Sequence, residues 1–113
     1  MKNFIAAAII LFAILSLSGE GVADASYEVD KTEYKDVSNI VVSILILETG
    51  WFTTKSSSNM EALVANRITY LREFDFPTDT KGFYNALRNV PGVNKPYAED
   101  KNYIEKVRYL TRN

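Results

Sequence analysis

The stretch from Ile40 to Leu47 carries seven aliphatic side chains in eight positions, then stops at Glu48-Thr49-Gly50-Trp51. A run this apolar has to be buried, so the fold forms around it and sets a carboxylate beside an aromatic at its end. Val37, Ile40, Val41, Ile44, Leu45 and Glu48 fall at i, i+3, i+4, i+7, i+8 and i+11, the spacing of one helix face. Asp36 or Ser38 can cap its start and Gly50 suits its end. A buried strand competes, because the run is rich in β-branched residues. Length and charged flanks favour the helix. In helical phase Glu48 extends the apolar stripe, and in strand phase it shares a side with Ile40, Val42, Ile44 and Ile46. Either way an inward, partly desolvated carboxyl is expected, an environment that favours the protonated form a general acid needs.

The first quarter of the chain reads as a leader. Met1-Lys2-Asn3 is a short positive start, and Phe4 to Leu17 is an apolar run of 14 residues broken only by Ser16. That is shorter than the roughly 20 residues a membrane-spanning helix needs. Ala23-Asp24-Ala25 follows, the small-x-small pattern after which a signal peptidase cuts. Residues 1–25 are therefore expected to be a signal peptide, or else an uncleaved membrane anchor, and the protein to be exported. Cleavage after Ala25 leaves 88 of the 113 residues, one small domain. Lys2, Glu20 and Asp24 depart with the leader, so 13 basic and 14 acidic residues become 12 and 12. That balance argues against a nucleic-acid partner, which calls for a basic surface. Any contact with a membrane is expected through the leader alone.

Ser26 to Asp36 is charged, lacks apolar periodicity and is expected to be a linker or entry arm before a domain at 37–113. Thr53 to Ser58 is a polar loop. Ser58-x-x-Glu61 is a capping box, and Met60, Leu63, Val64, Ile68 and Leu71 keep helical spacing, although Arg67 to Phe74 also suits a strand. Pro77-Thr78-Asp79 is a turn into a helix carrying Phe83, Tyr84 and Leu87. Val90 to Pro96 is a loop. A last helix is expected from Asp100, with Tyr103, Ile104, Val107 and Leu110 on one side.

The chain contains no His and no Cys. Zinc amidases with His ligands and Cys-His peptidases are thereby excluded. Glycosidic-bond cleavage, which needs only carboxyl groups, remains open.

Two segments together resemble the bacterial glucosaminidase family of peptidoglycan hydrolases (glycoside hydrolase family 73, in the lysozyme-like superfamily). Ile46-Leu47-Glu48-Thr49-Gly50-Trp51-Phe52-Thr53-Thr54-Lys55-Ser56 is similar to the stretch in which that family keeps its general acid, and Glu48 occupies the acid position. Pro96-Tyr97-Ala98-Glu99-Asp100 through Val107 is similar to the family's closing segment, whose first tyrosine lines the sugar cleft; that tyrosine is Tyr97. Phe74-Asp75-Phe76 sits between them where the family has a Phe-Asp-Ser step. The family's Asn-Asn-Leu-Phe-Gly signature is reduced to Asn59 in Ser58-Asn59-Met60-Glu61-Ala62-Leu63, Pro96 replaces a glycine, and the span from Phe76 to Phe83 is short. The resemblance implies a lysozyme-like domain, α+β and mainly helical, acting on the glycan strands of peptidoglycan, with no cofactor and no metal.

Each candidate residue has a plainer reading beside the functional one. Glu48 is the expected acid, against a solvated charge at a helix end. Tyr97 is a sugar contact or a packed tyrosine anchoring the last helix. Trp51, with Phe52, can stack on a pyranose or fill the core. Asn59 can meet an acetamide or cap a loop. Glu61, Glu73 and Asp75 are candidates for a second carboxylate, against ordinary solvated charges, and a substrate acetamide can stand in for that group.

Overall fold

The computed structural model describes residues 21–52 and 59–112. Among these the secondary structure is helical throughout, with no strand. Residues 21–30 are helical (α1), a single 3-10 turn spans Lys35–Val37, and four further helices follow: α2 (Ser38–Thr49), α3 (Met60–Glu73), α4 (Thr80–Arg88) and α5 (Tyr103–Thr111). The mainly helical expectation holds; the β part of an α+β architecture is absent from the described residues. Both segments that suited a strand, 40–47 and 67–74, are helical except for Phe74, which caps α3.

α2 is the central helix. Ile40, Val41, Val42, Ser43, Ile44, Leu45, Ile46 and Thr49 are all buried, so almost its whole circumference is covered. Two hydroxyls tolerate this because each is satisfied within the helix: Ser43 donates to Asn39 O at 2.7 Å and Thr49 to Leu45 O at 2.6 Å. The helix ends at Gly50, with φ at 60°, and the N–H groups of Gly50 and Trp51 both return to Ile46 O. Trp51 (φ 64°) and Phe52 (φ 62°) continue in the left-handed region. A run of three such residues turns the chain sharply and strains the two that carry a side chain. The Thr49 hydroxyl accepts from Phe52 N–H at 2.9 Å and braces the turn.

The segment expected as a linker is instead part of the packed body. Ala25, Val29, Tyr34 and Val37 are buried in the core, and the Tyr34 hydroxyl donates to Phe76 O at 2.8 Å. These apolar positions are too sparse among charges to show a period, yet each finds a place against α2 or α4. Ala23-Asp24-Ala25, the expected cleavage segment, lies within α1; residues 1–20, the rest of the expected leader, lie outside the described residues. Among the described residues no helix is long and apolar enough to cross a membrane.

α3 buries Val64, Ile68 and Leu71 on the expected stripe, and α4 buries Phe83, Tyr84, Ala86 and Leu87. Asp79 caps α4 by accepting from Gly82 N–H at 2.8 Å. α5 begins at Tyr103, later than expected. Asp100 accepts from Asn102 N–H and from Lys106, and its carbonyl accepts from Tyr103 N–H. Val107 seats α5 in the core, where the helix lies against α2.

Candidate active site

Glu48 sits in the last turn of α2, where the cover around that helix gives way. Its side chain is 33% exposed. It does not extend a buried stripe: α2 is apolar on nearly every side, so helical phase carries no information about which way Glu48 points. The inward position expected from the sequence is corrected to a rim position.

At that rim both carboxylate oxygens accept a hydrogen bond. The Arg67 guanidinium of α3 donates through Nη2 to Oε1 at 2.5 Å, and the Tyr97 hydroxyl donates to Oε2 at 3.1 Å. Tyr97 is placed by its own backbone, whose N–H donates to Leu87 O at 2.8 Å at the end of α4. Its ring meets Tyr70 edge-on at 5.7 Å between centroids, Phe76 at 6.1 Å and Tyr103 at 5.6 Å. Arg67 lies over the rings of Tyr70 (5.2 Å) and Tyr97 (5.8 Å), a cation–π arrangement. Two polar atoms of this wall, Arg67 Nε and the Tyr103 hydroxyl, are buried without a hydrogen-bond partner.

Burial, and next the negative charge of Glu48, pushes the Tyr97 phenol well above the ordinary tyrosine range. The same two causes, in the same order, raise Tyr103. Both phenols therefore stay protonated, and Tyr97 stays a donor to Glu48, across the pH range in which proteins work.

The remaining sequence candidates do not join this group. Trp51 is 9% exposed and Phe52 8%, so neither offers the free face that stacking on a sugar requires. Phe52 packs against α1, where a Cβ at Gly21 would come within 3.1 Å of its ring. Asn59 caps α3, its side chain accepting from Ala62 N–H at 3.1 Å, a role the sequence reading gave to Ser58. Glu61, Glu73 and Asp75 are exposed. The charge of Glu61 is felt at Lys31 and that of Asp75 at Tyr34, whereas the charge of Glu48 is felt at Tyr97 and Tyr103. No hydrogen bond among the described residues links any of the three to Glu48 or its partners. A depression of about 310 Å³, lined by Leu87, Arg88, Pro96, Lys101, Tyr103 and Ile104, meets the Glu48 group only through Tyr103. Among the described residues no cluster of acidic side chains could hold a metal ion. Lys55 and the rest of 53–58 lie outside the described residues.

Arg67 is the site residue that the sequence reading missed. A signal was present: Arg67 is seven residues from Met60, four from Leu63 and three from Tyr70, so a cation falls in phase with partly buried side chains. A charge on such a face needs a partner, and the nearby helix end supplies Glu48.

No family model matches this chain, and no curated protein or solved structure was found that resembles it.

Proposed function

We propose that the chain is an exported peptidoglycan glycosidase that cleaves β-1,4 links between N-acetylated wall sugars, with Glu48 as its general acid on a lysozyme-like helical domain. The observation that carries this reading is the 3.1 Å hydrogen bond from Tyr97 to Glu48, spanning 49 positions of sequence. It brings together the two segments that separately resemble the glucosaminidases, at the two residues that matter in each. Glu48 is one-third exposed, which leaves a side open for a glycosidic oxygen. In the step, Glu48 passes a proton to that oxygen as the C1–O bond breaks and its electron pair stays with the leaving sugar. No carboxylate stands opposite, so the cationic C1 is met by the substrate's own acetamide oxygen or by water. Water finally adds its hydroxyl to C1 and returns its proton to Glu48. Tyr97, mostly buried and aimed at Oε2, fixes the carboxyl plane and is not itself a sugar contact in this reading.

The Arg67 contact favours a second reading. A carboxylate that accepts from a guanidinium is held in its ionised form, and Trp51 and Asn59 are both spent on internal structure. A wall-binding or structural protein derived from such an enzyme, binding glycan without turnover, would look like this. Mass spectrometry of muropeptides released from purified walls by the full-length chain separates the two. New reducing ends that disappear with Glu48→Gln support the enzyme. Glycan binding that is unaltered in that variant, with no products from either protein, supports the binder.

A further inference from the structure

Glu48 has a single charged partner among the described residues, and the way that partner is held is unusual. A guanidinium commonly pairs with a carboxylate through two donors on one edge, which locks the geometry. Arg67 uses Nη2 alone; its Nε is buried and unpartnered. What else holds the guanidinium is the faces of Tyr70 and Tyr97. It can therefore leave Oε1 by breaking one hydrogen bond, while its aliphatic stem stays in place. The groups facing Glu48 are Arg67 from α3, Tyr97 from the loop before α5 and Tyr103 from α5, with Tyr70 of α3 behind Arg67. The three tyrosines are uncharged at working pH, so the only charge in the set besides Glu48 belongs to Arg67.

We infer that Arg67 is a positioning residue that decides whether Glu48 is a proton donor. Docked on Oε1 it keeps the carboxylate an acceptor; swung off, it frees Oε1 to carry the proton that a glycosidic oxygen takes. The inference rests on the glycosidase reading above and assigns that site its control element. Its sign follows from charge alone: removing a cation beside a carboxyl lets the carboxyl keep its proton to higher pH.

The test follows wall lysis by the full-length chain from about pH 5 to about pH 8 for wild type, Arg67→Gln and Arg67→Lys. In Arg67→Gln the ratio of activity at the alkaline end to that at the acid end should rise about three- to fivefold, the scale of one partly exposed ion pair. Arg67→Lys keeps the charge and should restore the wild-type ratio, which a merely structural role would not do. An active Arg67→Gln with the wild-type ratio overturns the inference and leaves the glycosidase reading standing. Absence of Glu48-dependent lysis in every protein at every pH overturns the glycosidase reading, and this inference with it. Should Arg67→Gln fold poorly, Arg67→Met retains the stem and replaces it in the same comparison. A thermal-melt cycle of Arg67→Met with Glu48→Gln checks the contact independently. The paired change should cost less than the two single changes together, and strict additivity also overturns the inference.

Discussion

α3 reaches out with two arginines, and the two ion pairs they make are unlike. Arg72 grips Glu33, in the turn after α1, with two parallel bonds of 2.7 Å, yet both side chains are about half exposed. Arg67 grips Glu48 with a single bond, among three tyrosines and beside two orphaned polar atoms. By geometry alone the first pair is better made. By environment the second matters more, because lower exposure means less screening and because an unpaired buried donor is costly. An ion pair placed for stability closes its hydrogen bonds and faces water; the Glu48 pair does neither, which is what a pair kept ready to open looks like.

The largest contrast should come from neutralising each acid. Glu48→Gln is expected to lower wall lysis by a hundredfold or more, the usual scale for loss of a general acid, with the far-UV circular dichroism unchanged. Glu33→Gln, on the same helix's other tether, should leave lysis within about twofold. Equal activity losses in the two variants would erase the distinction between them.

A smaller effect separates the two carboxylates by their third neighbour. Tyr97→Phe removes the donor to Glu48 Oε2 and is expected to cost about 1 kcal/mol of stability, since the phenol is mostly buried. Roughly tenfold of kcat should go with it, at little change in KM, because the carboxyl plane is no longer fixed. A rise in KM alone would return Tyr97 to the role of sugar contact. Alkaline titration examines the same wall. Stability should be level below about pH 10 and fall above it, because the unfolded chain's phenols ionise there while Tyr97 and Tyr103 keep their protons. Absorbance near 295 nm should then show two tyrosines that ionise only as the fold is lost.

The smallest effect belongs to the exposed pair. Arg72 beside Glu33 draws that carboxyl down to about 2 from an ordinary 4.5. A depressed carboxylate adds stability above its unfolded value and loses it as pH falls through the folded one, so the window is pH 4.5 to 2. With Glu33 46% exposed, screening keeps the contribution below about 1 kcal/mol. The melting difference between wild type and Glu33→Gln should therefore be modest at pH 6, shrink in high salt and vanish near pH 2. A large, salt-insensitive difference would mean that this pair, too, is shielded.

Much of the helical layout was legible because the apolar residues of α3, α4 and α5 repeat at helical spacing, and Asp79 and Gly50 mark ends as such residues do. α2 was legible as an element but not as an environment. A stripe through Val41 and Leu45 can be drawn on it, yet Val42 and Ile46 on the other sides are buried as well, so the phase that seemed to aim Glu48 inward had no meaning. The packing of residues 25–37 was hidden, because four core side chains spread over thirteen positions leave no period to detect. The Glu48–Tyr97 contact was suggested only through the resemblance of two separate segments; no local pattern joins residues 49 apart. Arg67 was legible in principle, as a cation in phase with Met60, Leu63 and Tyr70, to a reader asking what would neutralise it.

The covering of α2 on every side has a consequence for how the chain is made. Its shelter comes from Val29, Tyr34 and Val37, synthesised before it, and from Val107 of α5, synthesised some sixty positions later. Until the last helix leaves the ribosome, one flank of a very sticky rod stands open, and nascent or C-terminally clipped forms would self-associate or recruit a chaperone. Solubility of this protein is thus a property of the finished chain, and its final turn of helix is the piece that confers it.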